Sequence, residues 1–371
     1  MAAGYPLTVK TDTLVTRIVF DQSDEVPKAV SVEYLEGEYL YRASPLSGNK
    51  GCRGTANATK EIKLSGGTFN TVQMLKLSGV GPREELDRFQ IPVVKDLQGV
   101  GRNLQDRYEI PVNVKHEDNF KLLDGCTFDA KEHDECYRQW ADNPHILNQK
   151  GPYTTNGLAA AMVTRSDFAE TSDNDLFIFG GPINFVGYYP QWGDDAVADH
   201  KHFSWYALKA HTRNRAGVVE LRSSDPLDPP IVNFNYFDTG TTSDGADVAD
   251  LKAMAQAVNI SRLALSRYSD YDFLGGSQFQ EERPGPEVTT EAEIEDYVKA
   301  NAWGHHASCT NPIGADDDPM AVLDSQFRVR GTSRLRVVDA SVFPRIPGIF
   351  IQAPIYIVSE KAASVIIDAW S

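Results

Sequence analysis

The sequence predicts an α/β fold in which antiparallel strands come first and a long helix follows in the second half of the chain. Two local patterns support this class. Residues 7–42 alternate apolar and polar side chains as half-buried strands do, and residues 247–268 repeat apolar side chains at helical spacing. Of the 371 residues, 41% are apolar and 24% are charged, which is typical of a globular protein with a substantial core.

Shorter elements follow from local signals along the chain. Residues 61–64 predict a strand, and residues 70–77 predict a helix that ends at Gly79. Pro82 favours the start of a further helix, which we expect to reach about residue 89. The remaining predicted elements are strands at 92–94, 175–179 and 218–221 and helices at 130–141 and 291–300.

The charge of the chain excludes two kinds of partner. The formal net charge of −16 opposes nucleic acid and anionic membrane surfaces, because phosphate groups must be met by a basic patch. No stretch approaches the roughly 20 apolar residues of a membrane span. We therefore expect neither nucleic acid nor membrane as a partner.

Cysteine spacing and the N-terminus predict a cytoplasmic protein. No C-x-x-C pair is present, so reduced thiols are expected. The first 15 residues lack the apolar core of a signal peptide. Two triplets, Asn57-Ala58-Thr59 and Asn259-Ile260-Ser261, fit the N-glycosylation pattern, but such triplets arise by chance in most chains of this length and are discounted here. The cysteines are Cys52, Cys126, Cys136 and Cys309.

Three stretches in a fixed order carry a family resemblance. The first is GTFNTVQMLKLSGVG at 67–81, and the second is GVGRNLQDR at 99–107. The third is a C-terminal block with HASCTNPIG at 306–314, VVDASVFP at 337–344 and QAP at 352–354. Their order and spacing resemble those of the glucose-methanol-choline (GMC) flavin oxidoreductases from about residue 5 onward. The fungal formate-oxidase-like branch looks most similar.

The resemblance implies an α/β (α+β) architecture. We expect a GMC-type substrate domain with a mixed or antiparallel sheet, plus a remnant of the FAD-binding domain whose central Rossmann strands are missing. Residues 1–107 are expected to form the remnant and residues 108–300 the substrate-binding domain. Residues 301–371 are expected to return to the remnant, with the active-site histidine and its last strand and helix.

The resemblance also assigns roles to single residues. His306 falls where the family has its catalytic base, which takes a proton while hydride leaves for the flavin. His305 is a second catalytic candidate, although its side chain would face the other way in an extended segment. The expected substrate-binding residues are Trp303, Asn311, Ile349, Phe350 and Gln352. The family's flavin-contacting positions, expected here to be vestigial, are Val15, Asp339, Ala340, Ala353 and Pro354.

The sequence departs from the family in ways that bear on function. Val72 stands where the family has Pro or Ser, and Arg107 stands where it has His. No strand is followed by the G-x-G-x-x-G turn that holds a dinucleotide pyrophosphate. The second polar group of the family's catalytic pair would fall at Ile349 or Phe350, and apolar side chains cannot stabilise an alkoxide or clamp a carboxylate. We therefore expect no cofactor, with FAD bound only if another chain supplies the missing part.

Three functions remain open at this point. The first is a cofactor-independent lyase, isomerase or cyclase of fungal secondary metabolism, in which His306 acts as acid or base on a mostly apolar metabolite. The second is an FAD-dependent alcohol or formate oxidoreductase whose N-terminal part is supplied elsewhere. The third is a non-catalytic binding protein, in which His306 is an inherited core residue. A homo-oligomer or a partner subunit is expected to cover exposed strand edges and apolar helix faces.

Two other histidine arrangements receive structural interpretations. His200 and His202 lie beside Asp195 and Asp199, but no third ligand of defined spacing follows, so a solvated loop is expected instead of a metal site. A Ser/His/Asp hydrolase is rejected because no G-x-S-x-G turn is present. The aromatic residues Phe185, Tyr188, Tyr189 and Trp192 fit either a pocket wall or ordinary core packing.

Overall fold

The computed structural model describes residues 6–129, 133–142, 150–155, 157–237, 245–268 and 279–370. The strands are β1 (Thr13–Asp21), β2 (Lys28–Glu36), β3 (Cys52–Asn57), β4 (Ile62–Leu64), β5 (Val80–Gly81), β6 (Lys95–Asp96), β7 (Glu109–His116), β8 (Ala160–Thr164), β9 (Leu176–Gly181), β10 (His202–Lys209), β11 (Val218–Glu220), β12 (Ile231–Asn233), β13 (Phe279–Arg283) and β14 (Leu335–Val337). The α-helices are α1 (Gly67–Leu77), α2 (Arg83–Arg88), α3 (Glu135–Asp142), α4 (Trp192–Ala196), α5 (Ala246–Tyr268), α6 (Glu291–Asn301) and α7 (Gln352–Asp368).

The chain divides into two compact units. Unit 1 contains Met1–Asp106, Arg215–Asn235 and His306–Ser371, and unit 2 contains Arg107–Asn214 and Tyr236–His305. Residues 215–235 therefore lie in unit 1, whereas the sequence had placed them with 108–300.

Hydrogen bonds explain why residues 215–235 belong to unit 1. The N–H of Val219 on β11 donates to the carbonyl of Gly101, and the Lys76 ammonium donates to the Val219 carbonyl at 2.7 Å. Lys76 is itself buried and paired with Glu85 at 2.7 Å. The bond from Lys76 to Val219 joins positions 143 residues apart, so local sequence patterns do not show it.

Unit 1 is built on small sheets around helix α1. Strands β1, β2 and β3 form an antiparallel sheet with β3 at one edge, while β4 pairs in parallel with β14, and β5 with β6. Helix α1 is capped at its C-terminus by Ser78, whose hydroxyl accepts the N–H of Ile18 on β1. Gly79 follows with φ +82°, and a Cβ there would stand 2.3 Å from the Pro92 carbonyl oxygen, so only glycine fits the turn.

Unit 2 is built on one antiparallel sheet with the order β13-β7-β10-β9-β8. Helices α5 and α6 supply its other buried apolar side chains, including Met254 and Val298. At the end of β10, Lys209 is fully buried with its ammonium 2.6 Å from Asp175 and 3.7 Å from Asp250. Lys209, Asp175 and Asp250 therefore form a buried charged cluster at this end of the sheet.

Several sequence predictions agree with these elements, and others need correction. The early strands and the helices near 70–77, 83–88, 247–268 and 291–300 are present. The strand expected at 92–94 is instead the two-residue β6 that follows it. Of the helix expected at 130–141, residues 130–132 lie outside the described residues, and α3 begins at Glu135.

The expectation of four reduced cysteines is wrong. Cys126 and Cys136 form a disulfide, while Cys52 and Cys309 remain outside it as thiols. The two bonded cysteines are buried together with Leu123, and Phe120 and Tyr153 pack against them. Spacing alone did not reveal this pair, because the two cysteines are 10 residues apart and no C-x-x-C pattern marks them.

Among the described residues, no helix combines the length and the apolarity that crossing a membrane requires. On α7, the side chains of Tyr356, Ile357 and Ile367 are each about two-thirds exposed. Helix α7 contributes Ala362 to the core of unit 1.

Candidate functional site

His306 is a buried residue of unit 1 whose main chain is fixed by an acidic side chain. The residue is only 5% exposed. Its main-chain N–H donates to Asp106 Oδ1 at 2.7 Å. Two residues further on, Ser308 exchanges two backbone hydrogen bonds with Gln105. The ring of Phe350 lies 5.4 Å from the imidazole at an angle of 44°. The structure therefore brings together His306 and Phe350, two of the residues predicted for the site.

The motif G-V-G-R-N-L-Q-D acts as a clamp on two loops. The Gln105 amide nitrogen donates to the Pro344 carbonyl, and its oxygen accepts the N–H of Ile346. The Asn103 amide donates to the carbonyls of Cys309 and Pro344. Residues 103–106 therefore hold both the segment of His306 and the loop that leads to Ile349 and Phe350. The sequence identified this motif but not the role of its Asn, Gln and Asp side chains.

Asp339 connects two elements of unit 1 through hydrogen bonds to its carboxylate. Its carboxylate accepts hydrogen bonds from the Gly67 N–H at 3.0 Å, the Thr71 hydroxyl at 2.7 Å and the Ser341 N–H at 2.8 Å. It thereby joins the start of α1 to the short 3-10 helix Ala340–Val342. The Asn311 amide donates to the Ser341 hydroxyl, so Asn311 is a buried support of this turn.

The other predicted residues of unit 1 are more exposed. Gln352 and Ala353 begin α7 on the surface, and Pro354 follows them half-buried. Ile349 is half-buried and Phe350 is 38% exposed. Val15 lies on β1 opposite Tyr34, and its place there is determined by strand pairing.

Unit 2 contributes a carboxyl–imidazole pair that the sequence did not predict. Glu109 on β7 is 2% exposed, and its Oε1 lies 3.4 Å from Nδ1 of the exposed His305. Burial raises the pKa of the Glu109 carboxyl to about 7, against the opposing positive charges of His305 and Arg107. The signal that could have revealed Glu109 is a charged residue within the apolar run of a central strand.

Aromatic rings surround this pair within unit 2. The ring of Tyr188 lies edge-on to His305 at 4.9 Å, and Trp303 packs against Phe185 at 5.7 Å. The main chain of Trp303 exchanges two hydrogen bonds with Glu109, which fixes the segment that carries His305. Trp303 and His305, both predicted for the site, therefore lie together. The rings of Tyr188 and Trp192 contact Phe185 edge-on while each stays more than a third exposed.

Glu109→Gln is expected to remove a pH dependence of stability. The folded protein holds the Glu109 proton up to about pH 7, whereas the unfolded chain loses it near the ordinary pKa of 4.5. The free energy of unfolding therefore falls as the pH rises through this window, by roughly 3 kcal/mol for this group. Glutamine keeps the shape of the side chain but does not titrate. The free energy of unfolding of the variant, measured by urea titration, should therefore rise relative to that of the wild type between about pH 5 and about pH 8. Equal pH slopes for the two proteins would contradict this.

The sequence predicted a solvated loop around His200 and His202, and this prediction is wrong for His202. This residue begins β10 and is buried, with Nδ1 at 2.6 Å from Asp199 Oδ1 and Nε2 at 3.1 Å from Glu282 Oε2. The strand pairing of β7 with β13 brings Glu282 near, from a position 80 residues further along the chain. His202 therefore links β10 to β13 through Glu282 and to the loop before β10 through Asp199.

Comparisons with known proteins place this architecture in a family. Models of the N- and C-terminal parts of GMC oxidoreductase match residues 2–109 and 212–359. A glucose methanol choline oxidoreductase of Aspergillus terreus is 32% identical, over 98% of this chain and 55% of the relative. Patulin synthase of Aspergillus clavatus gives the same three values, and an oxygen-dependent choline dehydrogenase of Vibrio vulnificus is 34% identical over 84% of this chain and 51% of its own. The chain thus spans about half the length of these curated relatives.

Solved structures share the fold. Formate oxidase of Aspergillus oryzae matches with a TM-score of 0.73 at 23% identity, covering 95% of this chain and 59% of that one. A fungal aryl-alcohol oxidase matches with a TM-score of 0.68 at 23% identity, covering 96% of this chain and 60% of that one.

The expectation of a cofactor-independent chain is wrong, and the loss of central Rossmann strands is not established. The N-terminal GMC model matches residues 2–109, the stretch that had been interpreted as a vestigial remnant. Solved structures with this fold include a formate oxidase in which FAD is modified and an FAD-dependent oxidoreductase from Chaetomium thermophilum. Because the relatives are nearly twice as long, the absence of a G-x-G-x-x-G turn from these 371 residues does not argue against the cofactor. With both family models matched in order along the sequence, the chain belongs to the GMC oxidoreductase family.

Proposed function

We propose that this chain is the part of an FAD-dependent GMC oxidoreductase that carries the proton-accepting histidine. The observation that carries this proposal is the clamp formed by Asn103, Gln105 and Asp106, which holds His306 buried beside Phe350. These three polar side chains fix the segment of a buried imidazole, which is the positioning that a proton-accepting group needs. The G-x-G-x-x-G turn for the pyrophosphate would come from outside these 371 residues.

The residues present fit a flavin at the start of α7. This 17-residue helix begins after Ile351 without a side-chain cap, and Gln352 and Ala353 in its first turn are exposed. The N–H groups of an uncapped first turn, together with the helix dipole, attract electron-rich oxygen and nitrogen atoms such as those of a pyrimidine edge. Gln352, Ala353 and Pro354 are therefore the residues that we expect to hold this edge. When bound, FAD supplies a hydride acceptor.

The chain's own residues contribute proton transfer and exclusion of water. An imidazole both accepts and gives protons near neutral pH, so His306 is suited to take the hydroxyl proton of an alcohol. The bond from its N–H to Asp106 fixes the main chain, and the clamp fixes the loop that carries Phe350. His306 is only 5% exposed and the ring of Phe350 packs beside it at 5.4 Å, which limits the access of water to the imidazole.

The apolar pair Ile349 and Phe350 favours a neutral, apolar alcohol. A carboxylate substrate such as formate needs a cationic or strongly donating partner when it leaves water. Neither side chain offers one, and Phe350 provides an aromatic surface instead. Benzyl alcohol is therefore a suitable first probe, and formate is its natural counterpart.

The test is made on protein purified from the cells that produce it. We expect FAD in the supernatant after denaturation, at close to one per chain. Under anaerobic conditions benzyl alcohol should bleach the visible flavin absorbance, and formate at the same concentration should leave it unchanged. Protein without bound flavin would refute the proposed function, whereas bleaching by formate alone would refute only the substrate class.

A further inference from the structure

The disulfide Cys126–Cys136 indicates the compartment in which the chain folds. Both cysteines are buried in a small apolar cluster of unit 2 with Leu123. Disulfides of this structural kind form and persist in oxidising compartments and are rare in reducing ones. In such a compartment the two N-glycosylation triplets, which the sequence alone attributed to chance, become candidate acceptor sites.

The first triplet has the placement that an attached oligosaccharide requires. Asn57 is the exposed last residue of β3, and Thr59 is exposed in the bend that follows. The main chain between them is fixed, because the Ala58 N–H donates to the Val30 carbonyl at 2.8 Å. A glycan on Asn57 would therefore extend into solvent without displacing any buried group.

The second triplet has a different placement. Asn259 is exposed but lies in the middle of the 23-residue helix α5. The hydroxyl of Ser261 is fully buried and donates to the Ala257 carbonyl at 2.8 Å. Acceptor triplets belong to surface loops, so this one serves as an internal comparison.

We propose that Asn57 carries an N-linked glycan and that the chain matures in an oxidising secretory compartment. In this modification Asn57 Nδ2 loses a proton and bonds to the anomeric carbon of an oligosaccharide. The bond between that carbon and the pyrophosphate oxygen of the lipid carrier breaks, and the lipid pyrophosphate leaves. The proposal does not depend on FAD or on the substrate.

The glycan would also have a structural effect. Strand β3 bonds to β2 on one side and lies at the edge of its sheet. Edge strands with open main-chain groups pair readily with other chains, and proteins cover or charge them to prevent this. An oligosaccharide at the end of β3 would block the approach of a second strand.

The test is a peptide map of the protein purified from the cells that produce it. We expect peptide-N-glycosidase to convert Asn57 to Asp, and we expect Cys126 and Cys136 in one linked peptide before reduction. Asn57→Gln and Thr59→Ala should each abolish the mass lost on enzyme treatment, and Thr59→Ser should restore it. Asn259→Gln should leave that mass loss unchanged.

Two results would overturn the proposal. The first is an unmodified Asn57 peptide in protein whose disulfide is closed. The second is an unmodified Asn57 peptide together with free thiols at both cysteines, which would place the chain in a reducing compartment.

Discussion

Lys209→Ala is expected to lower the free energy of unfolding by about 3–5 kcal/mol, because it leaves two buried carboxylates without their cation. The Lys209 ammonium is fully buried, at 2.6 Å from Asp175 and 3.7 Å from Asp250, and also donates to the His211 carbonyl at 2.8 Å. Asp250 is already hard to ionise, since burial raises its pKa to about 6 despite the positive charge nearby. Without Lys209, the folded protein would either bury the negative charge of the two carboxylates or hold a proton on at least one of them.

Urea unfolding followed by circular dichroism measures this loss. The matched control is Lys115→Ala on the adjacent strand β7, where the lysine is 44% exposed and 4.0 Å from Asp199. Exposed ion pairs contribute little, so the control should stay within about 0.5 kcal/mol of the wild type. A loss below about 1 kcal/mol in Lys209→Ala would show that the cluster is not a strongly coupled unit.

His306→Gln is expected to reduce turnover of benzyl alcohol by about 10²- to 10⁴-fold, the usual contribution of a positioned acid or base. Glutamine fills most of the same volume and forms hydrogen bonds, but it cannot accept a proton near neutral pH. Because the Asp106 contact is to the main-chain N–H, the variant retains it. Flavin content and thermal melting should therefore remain close to the wild type.

His305→Gln is the matched control for this experiment. His305 is exposed and faces Glu109, so its loss should lower turnover far less than the loss of His306. The reverse order, with His305→Gln the more damaged variant, would assign the base to the carboxyl–imidazole pair of unit 2. Equal turnover in both variants and the wild type would leave proton acceptance to water.

Local sequence patterns predicted the elements whose cause is local. Strands β1 and β2 alternate regularly, α5 keeps a helical period, and Gly79 ends α1 because no other residue fits its turn. The residues that carry the family motifs were also identified, because a motif is read from consecutive positions.

Features that depend on distant pairing were not predictable in this way. Glu109 becomes a buried carboxyl only when Leu208 on β10 and the main chain of Trp303 lie on either side of it. Lys209 likewise meets Asp250 only after the intervening chain has folded back. The roles of Gln105 and Asp106 emerge only when Ile346 and His306 return beside them, about 200 residues or more later. The prediction of no cofactor failed for a different reason. It took the absence of a G-x-G-x-x-G turn from these residues as the absence of FAD binding.

The pairing of β4 with β14 has a consequence for synthesis on the ribosome. Asp339 accepts a hydrogen bond from Gly67 across 272 residues, and β14 supplies the partner that β4 lacks until then. Contacts of such sequence separation form slowly, and exposed apolar strands are prone to aggregate while they wait. At typical translation rates of about 5–20 residues per second, the first hundred residues remain incomplete for tens of seconds. We therefore expect nascent chains of this protein to depend on chaperones until residue 339 has emerged.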